Sequence, residues 1–289
     1  MSTMLRRRVI LSLLPLFAVV VLVYLLPICS TVVNAFLGHA GSLNGQFVGF
    51  GNFVKIKNSI PSTLLITLIW TFGSVVPAAL LGLVMALVFQ HEFRMRRLLM
   101  SINLLPYSIP LIIVASCWMF MYNQNFGILN VFLMRTGIIQ SPIKFLSYDN
   151  ALASVIVVRI WRALPFAFIN FYAALTTIPK ELYEAADVDG ATSSQTILYI
   201  TLPNLRSVIT TTLIILTVWT FLVFDIIYGM TGGGPVDATR IISIQIYREL
   251  FQMKDLGIAS AWSLIAIGAL VIITSIYWRL LAGEGQNAR

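Results

Sequence analysis

The residues of this 289-residue chain that could do chemistry are few, and they are charges set inside apolar sequence. Arg159 and Arg162 stand three apart in the run Ala151–Thr177, so they share a face of any helix it forms. Asp225 lies in a second apolar run, Val208–Tyr228, just ahead of Thr231-Gly232-Gly233-Gly234-Pro235. Charges in such surroundings are costly unless they pair or face a water-filled cavity. Two readings therefore stand: an ion pair between Asp225 and one of the arginines, or an arginine lining a cavity and attracting an anionic group. Trp161, Phe166 and Trp219 offer ring faces that could stack on a sugar or simply pack between helices. Reaction chemistry finds no support. His39 and His91 are far apart and make no metal cluster, and no nucleophile–base spacing is present. Cys29 and Cys117 sit in apolar runs and read as buried thiols rather than a disulfide. The glycine turn lacks the lysine and hydroxyl residue of a phosphate-binding loop.

The elements that must position these side chains are set by composition. Apolar residues make up 58% of the chain and charged ones 10%, and mean hydropathy is +0.90. A soluble domain would carry about a quarter charged residues, so the chain reads as an integral membrane protein, all-α, with helices packed in lipid. The net charge of +8 is scattered or flanks apolar runs, which points to topology and anionic lipid rather than to nucleic acid.

A helix needs about 20 apolar residues to span the hydrocarbon. Six segments qualify, at about 9–32, 62–89, 98–122, 151–177, 208–228 and 257–281. The first is too long for a signal-peptide core and shows no clear cleavage site, so it reads as a retained span. Arg6, Arg7 and Arg8 precede it, and Arg94, Arg96 and Arg97 fill the link between the second and third. By the positive-inside rule both clusters, both termini and the 179–203 loop lie in the cytoplasm. Phe47–Phe53 reads as an aromatic interfacial segment, Asn123–Asn130 as a turn and short helix, and Ile241–Lys254 as amphipathic. No linker or second domain is evident, so residues 1–289 read as a single transmembrane domain.

The loop has helical architecture of its own. Pro179 suits a helix start, Glu181 and Glu184 favour its positive end, and Gly190 suits its stop. Thr192 and Gln195 read as a capping box opening a second short helix, which Pro203 is expected to end. Ala185 and Ala186 keep one side thin, and the whole makes a compact polar knob between long apolar runs.

The pattern Glu184-Ala185-Ala186, Asp189-Gly190-Ala191, Ile200-Thr201-Leu202-Pro203 resembles the EAA loop of bacterial ABC importer permeases. The resemblance implies a type I importer fold and a coupling role for Glu184, Ala185, Ala186, Asp189, Gly190 and Pro203. It also implies the partners: a second, homologous permease, two ATP-binding-cassette subunits that hold ATP and Mg, and an extracytoplasmic solute-binding protein. The chain itself would be no enzyme and would bind no cofactor. Phe47–Phe53 and Thr231–Pro235 extend the likeness to the carbohydrate group of this family. Aligned without gaps on the loop and the glycine turn, the sugar-contacting positions of maltose-type permeases fall on Trp161, Arg162, Phe166, Trp219, Thr220 and Val223. Arg162, Thr220 and Val223 depart from the maltose-type residues, so the implied solute is a sugar or sugar-like molecule other than maltose, with an anionic sugar derivative as the alternative. Pro165, beside these positions, is expected to bend its helix where a cavity is lined. A self-contained secondary transporter would need an internal repeat or a relay of membrane acids, and neither is visible.

Overall fold

In the computed structural model, residues 13, 15, 17–38 and 45–279 are described. The apolar runs become helices long enough to cross a bilayer: α1 (Phe17–Ala35), α3 (Ile60–Val88), α7 (Ala151–Leu175), α9 (Ser193–Leu222) and α12 (Leu256–Tyr277). Two further helices, α4 (Arg96–Ser108) and α5 (Leu111–Met121), are long and apolar enough for a crossing only when taken together, and they meet at a bend of 101°. Shorter elements lie between them: strands β1 (Leu37–Gly38) and β2 (Gln46–Phe47), paired antiparallel, and helices α2 (Gly51–Ile56), α6 (Ile128–Arg135), α8 (Lys180–Val188), α10 (Asp225–Met230) and α11 (Ile242–Tyr247). Arg6–Arg8, His39 and the last residues of the expected sixth span lie outside the described residues.

Two compact units are formed. One comprises Met1–Pro61 with Gln245–Gly268, the other Ser62–Ile244 with Ala269–Arg289. In the first, the expected aromatic segment is built around Asn52, whose buried amide donates to the carbonyls of Ala35 (2.9 Å) and Leu37 (2.8 Å). Phe36, Phe50 and Phe53 cluster beside it with ring centres 5.5–5.8 Å apart.

In the second unit α3, α7 and α9 share a core in which small residues set the spacing. Ala78, Gly82 and Ala86 recur at one position per helical turn on α3 and are buried. A Cβ on Gly82 would stand 2.6 Å from that of Ala167 on α7. Lipid provides no hydrophobic drive between helices, so close backbone approach through such a stripe is how spans hold together. A second core joins α5, α7 and α10, where Gly229 plays the same part against Ala115.

Two expectations about helix ends are corrected, those for Pro203 and for the fifth span. Pro203 does not end a helix. The capping box at Thr192 is present, with Gln195 bonded reciprocally, but its helix continues as α9. The chain passes Pro203 by widening to a π turn at Ile197–Thr201, where the N–H of Leu202 reaches the carbonyl of Ile197. That five-residue step shifts the register just ahead of the residue that has no N–H to give. Pro165, where a bend is expected, lies buried within a continuous α7. The breaks occur elsewhere. Ile109, forced toward extended geometry by Pro110, has ψ 133° and separates α4 from α5. The expected fifth span divides at Val223, which has ψ 136°, before α10 begins at Asp225. Cys29 and Cys117 are free thiols, as expected, but exposed rather than buried.

Candidate functional site

The two breaks in the helices meet at one cavity. Its volume is about 440 Å³, and its wall is formed by Tyr107 and Leu111 from either side of the first break and Leu222–Asp225 across the second. Arg159, Arg162 and Phe166 of α7 and Trp219 of α9 complete it. Irregular backbone at membrane depth is tolerated where it lines a cavity and its polar groups are served. Here they are: Trp70 Nε1 donates to the carbonyl of Thr220 (2.8 Å), and the Ser243 hydroxyl donates to that of Val223 (2.9 Å).

The two arginines share the cavity but not their partners. Arg159 is 6% exposed, and its Nε and Nη2 both donate to Oγ1 of Thr220, at 3.0 and 2.9 Å. Arg162 stacks its guanidinium over the Tyr107 ring, 4.5 Å from the centroid, and its buried Nε has no hydrogen-bond partner. Tyr107 in turn stacks near Phe166 (6.2 Å between ring centres), and Phe166 contacts Trp219 (4.9 Å). One positive group backed by three rings is a surface able to hold a ring-shaped polar solute, through stacking on its apolar face and hydrogen bonds at its edge.

Asp225 lines this cavity without pairing with either arginine; no ion pair joins it to Arg159 or Arg162. The reason is local: the break at Val223 puts Asp225 in the first turn of the separate helix α10, where a carboxylate faces the positive end of the backbone, while Thr220 sits within reach of Arg159.

Of the six positions expected along a solute path, Arg162, Phe166, Trp219 and Val223 come together here. Trp161 and Thr220 do not. Trp161 faces a separate apolar cavity of about 350 Å³, edge-on to Trp118. Thr220 is fully buried behind the wall as the acceptor for Arg159. Tyr107 was missed. Its signal is Pro106-Tyr107-Ser108-Ile109-Pro110, where two prolines mark a bend and the tyrosine stands inside it.

The knob that follows α7 is formed as α8 and its turn. Gly190 has φ +72°, the Gly190 N–H bonds the Asp187 carbonyl (3.2 Å), and the Ala191 N–H bonds that of Ala186 (2.9 Å), closing the helix in a Schellman motif. Glu184, Ala185, Asp189 and Gly190 are exposed; Ala186 is buried. Apolar side chains also stand uncovered around it, Val188 at 87% and Tyr199 at 77% exposure. Arg96, at the start of α4, donates to the hydroxyl of Tyr172 near the end of α7. The basic turn 94–97 and the knob therefore occupy the same end of this unit.

Residues 78–282 match the family model described as the binding-protein-dependent transport system inner membrane component. The chain belongs to this family. The permease is 33% identical over 274 residues to the trehalose/maltose transport system permease protein of Thermococcus litoralis, covering 93% of this chain and 92% of that one. It is 32% identical over 281 residues to the sulfoquinovosyl glycerol transport system permease protein of Agrobacterium fabrum, covering 94% and 89%. A chain in the crystal structure of a bacterial ABC transporter involved in the import of the acidic polysaccharide alginate matches the permease with a TM-score of 0.82 at 24% identity, over 95% of this chain and 94% of that one. This establishes the fold as that of an ABC importer permease.

Proposed function

We propose that this permease is one of two homologous membrane subunits of an ATP-driven importer, and that its solute is a sugar or sugar-like molecule. The observation that carries the solute reading is the cavity at the helix breaks, where Tyr107, Phe166 and Trp219 present rings beside Arg162. The printed names of the relatives support it, since the Thermococcus litoralis protein is named for trehalose and maltose and the Agrobacterium fabrum protein for sulfoquinovosyl glycerol. The unpartnered Nε of Arg162 favours, within that class, a solute bearing an anionic group.

Glu184, Ala185, Asp189 and Gly190 form the surface on which an ATP-hydrolysing subunit docks, with buried Ala186 seating the helix beneath it, and Pro203 belongs to the helix that leads from it to the cavity. Uncovered Val188 and Tyr199 on an otherwise polar knob support a protein contact there. The chain has no ATPase site of its own; ATP and Mg sit on two partner subunits. With the basic turn 94–97 and the knob at one end of the unit, that end faces the cytoplasm, and six crossings with Arg6, Arg7 and Arg8 ahead of the first would put both termini on the cytoplasmic side of the membrane. An extracytoplasmic binding protein delivers the solute to the opposite end. The two units act together as one transmembrane domain.

The test is co-purification of the tagged chain in mild detergent, followed by uptake in liposomes. A stoichiometric second permease and an ATP-binding-cassette protein, with uptake dependent on ATP, are expected. Transport by the chain alone without ATP would overturn the reading.

A further inference from the structure

A second cavity, of about 620 Å³, lies at the basic end of the same unit and plays no part in the path described above. Glu92, Phe93, Met95, Arg96, Arg97, Met100 and Tyr172 line it. Arg96 is held in place there: its guanidinium donates to the Tyr172 hydroxyl and lies 5.6 Å from the centre of that ring. Arg97 beside it is exposed, and neither it nor Arg94 or Arg96 is joined to a carboxylate by an ion pair. Positive charge accumulates here against the ordinary preference. Arg96 and Arg97 occupy the first turn of α4, where the helix end is itself positive, and no side chain caps it. Two guanidinium groups at an uncapped helix start, around an open cavity, need an anion more than they need each other. Glu92 brings one carboxylate to the lining without an ion pair to either arginine, and the rest is largely apolar: Phe93 and Met95 are 37% and 60% exposed, and the exposed Leu98 and Leu99 follow on α4.

We infer that this cavity binds a phosphate group, with Arg96 and Arg97 as its donors. A phosphate diester carries the charge these groups lack, and arginine forks fit its oxygens. The adjoining Phe93, Met95 and Leu98 suit an acyl chain, so an anionic phospholipid serves both parts of the site, its phosphate against the arginines and its chain against the apolar residues, whereas a free phosphate serves only the charged part. The site lies at the start of α4, beside the end of α7, where a membrane-crossing helix gives way to a basic turn, and its assignment does not depend on which solute is carried.

The experiment uses the assembled transporter in nanodiscs of equal phosphatidylglycerol and phosphatidylcholine, released for native mass spectrometry. Retained phosphatidylglycerol is expected to exceed phosphatidylcholine, and Arg97→Gln, whose side chain has no other partner, is expected to cut that excess about five-fold. Arg135→Gln serves as a control for net charge and leaves it unchanged. A second arm follows the melting temperature in lipid-free detergent with inorganic phosphate. If phosphate stabilises the wild type and not Arg97→Gln while neither lipid is preferred, the site takes a free phosphate. Equal retention in wild type and Arg97→Gln together with no phosphate effect overturns the inference. So does loss of the ATPase subunit from Arg97→Gln with lipid and phosphate unaffected, which would make the arginines a protein contact. Melting of both variants in phosphatidylcholine alone reports that they remain folded.

Discussion

Arg159 commits two donors, Nε and Nη2, to the single hydroxyl of Thr220 across the interface of α7 and α9. Thr220 also offers its carbonyl to Trp70 of α3, so one residue ties three helices together at the edge of the cavity. A buried guanidinium with one neutral acceptor is sensitive to the loss of that acceptor. Thr220→Val, nearly isosteric, should destabilise the protein by about 2 kcal/mol, and Thr220→Ser should retain most of the stability. Thermal unfolding in detergent distinguishes them; equal melting of the two variants would remove the hydroxyl from the account.

Arg162 and Trp219 face the cavity where Trp161 does not. Arg162→Gln and Trp219→Ala should each slow uptake of the transporter's solute about ten-fold at low concentration, while Trp161→Ala stays within about two-fold of wild type. Initial rates in proteoliposomes decide it. A Trp161→Ala defect as large as that of Trp219→Ala would move the path to the other cavity.

Gly82 admits no side chain toward α7. Gly82→Val should lower stability by about 1–3 kcal/mol through forced separation of α3 and α7, and Gly268→Val, with open space at its Cβ, should be close to neutral on the same measure. Melting of the two purified variants is the comparison; a neutral Gly82→Val would mean that α3 and α7 are not locked by close approach.

Glu184→Ala and Gly190→Asp should leave the chain inserted and folded while uncoupling ATP hydrolysis from uptake. Both positions are exposed and touch no core. Normal solute-stimulated hydrolysis in both variants would show that the knob is not where the ATPase acts.

How much of this was legible beforehand follows the range of the forces involved. The knob was readable because its determinants are local: a capping box spans four residues, and a helix stop at Gly190 needs only one left-handed residue. The break at Pro110 is just as local, since a proline disfavours helical geometry in the residue before it, whereas the helix around Pro165 is continuous. The break at Val223 has no local signature. It is held by Trp70 and Ser243, far away in sequence. Pro203 misled because a proline reports a missing donor, and a π turn can absorb that loss without ending the helix. The ion pair with Asp225 was argued from charge alone, while a threonine hydroxyl in reach of Arg159 decided the outcome. The resemblance implied a place for Thr220 on the solute path, whereas its side chain is buried behind the cavity wall and accepts from Arg159.

The helix α9 begins at the capping box beside the knob and ends at the break beside the cavity, with 30 residues between. That makes a strut of about 45 Å. Tilting it by about 5° carries its far end through about 4 Å, comparable to the width of a helix groove. Because the chain is already interrupted at Val223, such a swing draws Trp219 across the cavity without tearing a continuous ladder of backbone hydrogen bonds. The strut departs from α-helical geometry at one place, the π turn at Ile197–Thr201, close to the end that carries the knob. If the knob takes the push of an ATPase subunit, as proposed, the turn lies between that push and the cavity, and stiffening it would be felt as a change in gearing rather than in grip.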